Sequence, residues 1–284
     1  MQPEGPIKAK LVFVHGFSDH INRYYDFFPS LAERGIAVYG FDQRGWGRSV
    51  SKPAEKGLSG PTALVLADIV AVATPHLPAS PSDPPLFIGG HSMGGGEVMF
   101  LACDPTHKDF VSKVRGFMLE GPYIGIAAEL EPSAFTVFAG RLVGKILPHR
   151  HLVNQIPPES VTRDPAVAKD LAEDDLCHDT GTLEGLSGML DRSGALTSGK
   201  ARPGKHVRGL WLGHGTMDKG TSYEASKKYF EKFCGDVQDK EFKTYDGYYH
   251  QLHADGPESS VFIKDFGDWI LARAGENVPE SAKL

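Results

Sequence analysis

The chain has 284 residues, of which 40% are hydrophobic and 23% charged, the make-up of a globular protein rather than a disordered or fibrous one. A formal net charge of −6 argues against nucleic acid as the main partner. Cys103, Cys177 and Cys234 are too few and too widely spaced for a disulfide framework or paired zinc ligands, which fits a reducing, cytoplasmic location.

Residues 1–16 carry no basic region followed by a long apolar run, so no secretory leader is expected. No stretch reaches the ~18 apolar residues of a membrane span. Residues 8–14 read as a buried strand that ends at His15-Gly16. Tyr24, Phe27, Phe28, Leu31 and Ala32 then recur at helical spacing, closed near Gly35. A second strand is predicted over 35–42, a helix over 61–74 with Pro61 at its first position, and a third strand over 85–90. That strand runs directly into a helix beginning near His91. Further strands are predicted at 116–121, 209–213 and 241–245, and Phe262, Phe266, Trp269 and Ile270 mark one face of a last helix. Strands alternating with helices predict an α/β fold, a mostly parallel sheet flanked by helices.

The alternation breaks between 124 and 204. There Phe135, Phe138, Leu142 and Ile146 share one helical face, and polar, Pro-punctuated segments follow. The expected organisation is therefore one domain, with a core of 1–123 and 205–284 and an inserted helical cap or lid over 124–204. Such a cap would lie at the C-terminal edge of the sheet, where open α/β sheets bind ligands.

The chemistry centres on Gly90-His91-Ser92-Met93-Gly94, a G-x-S-x-G placed between an apolar strand and a helix. That is the context of a nucleophile elbow, whose turn is too tight for side chains at the two glycines. A serine hydroxyl is a weak nucleophile, so it needs a base to take its proton and a carboxylate to orient that base. Asp218, just past the strand at 209–213, and His250, just past the strand at 241–245, reach the same sheet edge in the required chain order. Glu120 is an alternative acid and His253 an alternative base. An oxyanion hole needs two backbone N–H groups, expected from Met93 and from Phe17 in the loop after the first strand. His15 fits a supporting hydrogen-bond role better than a reacting one.

These segments resemble the monoacylglycerol lipase group of the α/β-hydrolases. HGFSDHINRYYDFF (15–28) is similar to the group's HGxxEHxxRY, FDQRGWGRS (41–49) to its DxxGxGxS, and GHSMGG (90–95) to its elbow. GTMD (215–218) and GYYHQLH (247–253) are similar to its acid and base segments. The resemblance implies Ser92, Asp218 and His250 as a catalytic triad, and Phe17 and Met93 as the oxyanion amides. It also implies Asp19, Arg23 and His253 as holders of the glycerol hydroxyls, a cap that carries the acyl tunnel, and no cofactor or metal. Cys177, in DLCHDTG, falls in a cap stretch near the group's polar pocket. Asp19 stands where the group usually has Glu. The group's antiparallel hairpin before the first strand is missing, which is expected to leave a sheet edge more exposed.

The expected substrate is thus a small-molecule lipid ester, a monoacylglycerol, with the apolar cap face able to rest on a membrane or lipid-droplet surface. A lysophospholipase or general carboxylesterase is the alternative within the enzyme class, and a hydrolase-fold ligand receptor the alternative outside it. Ala282-Lys283-Leu284 is a near match to the peroxisomal Ser-Lys-Leu address.

Overall fold

The computed structural model describes residues 1–127 and 133–275. The side chains of Phe135 and Phe138 and the tripeptide Ala282-Lys283-Leu284 lie outside the described residues. In chain order the first half contains β1 (Ala9–Val14), α1 (Phe27–Glu33), β2 (Ile36–Phe41), α2 (Thr62–Ala73), β3 (Leu86–His91), α3 (Ser92–Cys103), α4 (Lys108–Val111) and β4 (Gly116–Glu120). Then come α5 (Ala134–Gly144), β5 (His151–Val153), α6 (Pro158–Val161), α7 (Pro165–Glu173), β6 (Thr180–Thr182) and α8 (Leu183–Thr197). The chain returns to the sheet with β7 (Leu210–Gly215), α9 (Tyr223–Phe233) and β8 (Lys240–Tyr245), and α10 (Ser259–Ala272) follows.

The main sheet has six parallel strands in the order β2-β1-β3-β4-β7-β8, and β5 and β6 form a separate antiparallel pair. Parallel strands buried on both faces read as apolar runs, as β1 (AKLVFV) does. Alternate side chains serve opposite faces. Val12 and Val14 pack with Leu66 and Ile69 of α2 and Val98 and Leu101 of α3, whereas Leu11 and Phe13 pack with Phe27 and Leu31 of α1 and Phe266 of α10. Since all six strands point one way, the residues that follow them gather at one edge. Strand order reverses beside β1, between β2 and β3, and that crevice is where sheets of this kind bind ligands.

Two helix starts differ from the expectation. Helix α1 starts at Phe27 rather than near Tyr24, because Tyr25 has a left-handed φ of 39° and breaks the regular turn. Pro61 stands outside α2, in an extended conformation (ψ 159°), with its carbonyl accepting from Leu64 and Val65 N–H. At the outer edge of β2, the Met1 amino group donates to the Val38 carbonyl at 2.8 Å and Val38 N–H returns to Met1 at 3.0 Å, so that edge is covered at Val38.

The segment between β4 and β7 is tied to the core by buried polar contacts. Arg192 of α8 donates to Glu97 of α3 and Thr62 of α2, each at 3.0 Å. The apolar face expected from Phe135 to Ile146 does not close onto the core where it is described: Leu142 of α5 is 56% exposed, and Ile146, just past the end of the helix, 78%. Among the described residues no helix is long and apolar enough to cross a membrane.

Candidate active site

Ser92 opens α3 directly after β3 and has φ 54°, a left-handed value that costs a non-glycine residue about 1–3 kcal/mol. The surroundings enforce it. A Cβ at Gly94 would fall 2.3 Å from the Val14 carbonyl oxygen, and one at Gly90 2.6 Å from backbone of Gly94. Both neighbours must therefore be glycine, and the G-x-S-x-G pattern follows from the close approach of β1, β3 and α3. Met93 is the second residue of α3, so its N–H is one of the four that have no partner inside the helix.

Asp218 lies on the loop after β7 and His250 on the loop after β8. His250 Nδ1 lies 2.7 Å from Asp218 Oδ2. For Nδ1 to donate, the ring must carry its proton there, which leaves Nε2 as the acceptor. The other carboxylate oxygen, Oδ1, accepts from the backbone N–H of Gly220 at 2.7 Å and of Thr221 at 2.9 Å. A second imidazole also reaches this carboxylate: His214 Nε2, at the end of β7, is 3.0 Å from Oδ2. Burial by itself would raise the Asp218 carboxyl, but His250 and His214 hold it well below the usual carboxylate range. Burial likewise opposes charge on His250, yet the adjacent Asp218 carboxylate raises the imidazole above its ordinary value.

Ser92 and His250 line one cavity of about 440 Å³. Gly16, Phe17, Ser18 and Asp19, from the loop after β1, form one wall, and Ile156, Pro158, Val161, Leu171 and Cys177, between β4 and β7, form another. The cavity occupies the crevice where strand order reverses. Asp19 accepts from the His20 N–H at 2.8 Å and the Tyr24 hydroxyl at 2.9 Å. Arg23 is buried beside it, Nη1 at 3.8 Å from Asp19 Oδ1, with Asp174 and Asp170 each 3.7 Å from other guanidinium nitrogens. Its Nε and Nη1 make no hydrogen bond to the described residues. Burial pushes the Cys177 thiol up, so it is a protonated thiol at neutral pH.

Of the three residues expected to hold hydroxyls, only Asp19 lines this cavity. Arg23 lies behind Asp19, and His253 is also buried behind the wall, with Nδ1 2.7 Å from Glu120 Oε1. The two alternatives that the sequence left open, Glu120 for the acid and His253 for the base, thus pair with each other, and Asp218 pairs with His250. His15 acts as a brace. Gln43 N–H donates to its Nε2 at 2.9 Å, so Nδ1 carries the proton and donates to the Gly16 carbonyl at 2.8 Å. The sequence reading missed His214. Its signal was present as a histidine four residues before Asp218 at a strand end, but nothing in a linear spacing says that both imidazoles converge on one oxygen.

Among the described residues, two groups of side chains have donor atoms within 4.8 Å of one another, as a metal site would need: His20, Asp174 and Cys177, and His91, Glu120 and His253. In each, two members already share a direct contact of 2.8 or 2.7 Å, and ester hydrolysis by a serine, a histidine and an aspartate uses neither group as ligands.

A family model described as serine aminopeptidase, S33, matches residues 5–257. A putative monoglyceride lipase of Schizosaccharomyces pombe is 35% identical over 264 residues, covering 92% of this chain and 67% of that protein. The monoacylglycerol lipase of Mycolicibacterium smegmatis is 25% identical over 278 residues, covering 95% and 90%. Among solved structures, a soluble variant of Saccharomyces cerevisiae monoglyceride lipase with a substrate analogue matches with a TM-score of 0.83 at 22% identity, over 95% of this chain and 88% of that one. The Paleococcus ferrophilus monoacylglycerol lipase matches with a TM-score of 0.80 at 24% identity, over 96% and 97%. These two likenesses establish the α/β-hydrolase fold.

Proposed function

The chain belongs to the serine aminopeptidase S33 family, and on that premise we propose that it hydrolyses monoacylglycerols to fatty acid and glycerol through an acyl-enzyme on Ser92. The observation that carries the proposal is the 2.7 Å His250–Asp218 pair, whose imidazole lines the same cavity as a serine held in the left-handed conformation of an elbow. Ser92 Oγ attacks the ester carbonyl as His250 Nε2 takes its proton. His250 then gives that proton to the departing glycerol oxygen as the ester bond breaks. Water, deprotonated by the same imidazole, attacks the acyl-enzyme, the bond to Ser92 Oγ breaks to release the fatty acid, and His250 returns the proton to Ser92 Oγ. Asp218 holds the tautomer and stabilises the transient imidazolium. The amides of Phe17 and Met93 receive the oxyanion, where loss of one donor costs about 2.7–4 kcal/mol.

The polar end of the cavity, lined by Ser18, Asp19 and Asp179, suits hydroxyl groups, and Arg23 supports it from behind through its ion pair with Asp19. His253 supports that end from one layer behind, its ring 4.6 Å from that of Tyr24, whose hydroxyl holds Asp19. We assign residues 124–204 to a cap over a core of 1–123 and 205–284, with Ile156, Val161 and Leu171 offering apolar wall to an acyl chain at about 0.8 kcal/mol per buried methylene. We place the enzyme in the cytoplasm and at lipid surfaces, where exposed Leu142, Val143, Ile146 and Leu147 make a contact face.

A substrate panel tests the reading. Monooleoylglycerol is expected to be hydrolysed with a kcat/KM well above those of lysophosphatidylcholine, p-nitrophenyl acetate and an aminoacyl p-nitroanilide. Equal rates on the esters, or cleavage of the anilide alone, would overturn it.

A further inference from the structure

We propose that Glu120, held by His253, is a second carboxylate of the active site: a positioning residue that tunes the basicity of His250 without touching substrate. The sheet register sets His91 directly beside Glu120 on neighbouring strands. Glu120 Oε1 accepts from the His253 backbone N–H at 3.0 Å and lies 2.7 Å from its ring Nδ1. Oε2 faces His91 Nδ1 at 3.7 Å, and neither atom has a hydrogen-bond partner among the described residues. All three side chains are almost wholly buried. The His91 ring lies between the two carboxylate–histidine pairs, 4.6 Å from the His250 ring and 5.3 Å from the His253 ring.

The strand end that carries Glu120 passes against the reacting pair. A Cβ on Gly121, which has φ +45°, would sit 3.3 Å from His250 Nδ1 and 3.4 Å from Asp218 Oδ2. An apolar residue at position 120 would fill the same space without the desolvation cost of a buried acid. A carboxylate there has its effect on charge, and the charge that appears nearby is the imidazolium of His250. In a site with an effective dielectric of about 20, a carboxylate two rings away still acts on that charge.

His250 is faced by Asp218, with His214 behind it, from the β7 side, by His91 from β3, by Glu120 from β4 and by Asp19 from the loop after β1. Glu120 itself is surrounded by His253, His91, Tyr24 and Tyr245. Burial lowers the His250 imidazole, and the charges of Asp218 and Glu120 are among those that lift it.

This inference rests on His250 being the base, and the test separates the two. Histidine NMR titration of the whole chain gives the His250 pKa directly, with or without turnover, and the acidic limb of kcat/KM gives it during catalysis. Glu120→Gln, close to isosteric, is expected to lower both by about one pH unit and to reduce kcat with KM unchanged. His253→Leu, which leaves the buried carboxyl without its partner, is expected to move the limb the same way and serves if Glu120→Gln does not fold. His253→Gln, whose amide can still donate to Oε1, is expected to move it less. An unmoved His250 titration in a folded variant overturns the inference, as does a raised KM with an unmoved limb. A wild-type protein without ester turnover contradicts the proposed function instead, and the NMR titration still decides the role of Glu120.

Discussion

At the scale of single residues, function is concentrated where the backbone is most constrained. Gly94→Ala would place a methyl group 2.3 Å from the Val14 carbonyl oxygen, so urea unfolding is expected to show a loss of about 3 kcal/mol or more. Asp218→Asn leaves the volume unchanged but removes the acceptor that fixes the His250 tautomer. Its kcat should fall by about 10⁴-fold with Tm close to that of wild type. His250 must be neutral to take the Ser92 proton, and its imidazole is raised above the ordinary 6.5. Activity should therefore rise with pH through an apparent pKa above 6.5 in a kcat/KM profile, and a limb below 6.5 would contradict the geometry. The tight turn at Ser92 was legible in the sequence because its two glycines answer a local steric demand. The choice of Asp218 over Glu120, and of His250 over His253, was legible only as a preference from chain order and the family resemblance. All four sit at or just past strand ends, and only strand order and register decide which pairs meet.

At the scale of elements, the six strands of the main sheet were legible to within about two residues, since apolar runs bounded by glycine and polar turns carry a local signal, whereas the short pair β5 and β6 was not. Helix α5 shows the limit of periodicity: Leu142 and Ile146 have helical spacing, yet the helix ends at Gly144, spacing does not say what covers a face, and both residues are exposed. The tie between α3 and α8 was invisible in sequence, because Glu97 and Arg192 are 95 residues apart. Burial pushes the Glu97 carboxyl up to about 7, against the pull of Arg192. A folded-state pKa above the ordinary 4.5 favours the protonated form on folding, so this contribution is present below pH ~4.5 and is lost as pH rises through about 7. Urea unfolding should thus find wild type losing stability relative to Glu97→Gln between pH 5 and pH 8. Arg192→Leu, which strands a buried carboxylate, should cost about 3–5 kcal/mol at pH 8.

At the scale of the whole molecule, the order β2-β1-β3-β4-β7-β8 brings residues spread from Phe17 to His250 to one crevice. The alternation of strands and helices made the parallel sheet legible, while the walls contributed by the segment between β4 and β7 came from α6, α7 and their flanking turns, where no periodicity pointed. Replacing Leu142, Val143, Ile146 and Leu147 by Ser should reduce flotation with phosphatidylcholine vesicles and leave hydrolysis of a soluble ester unchanged; undiminished flotation would remove this face from the account. Whether Ser92 carries the acyl group is read by reacting the folded chain with a fluorophosphonate and mapping the adduct by peptide mass spectrometry. The expected result is one adduct, on Ser92, with ester hydrolysis abolished in proportion. An unlabelled protein, or label on another residue while hydrolysis persists, would contradict it.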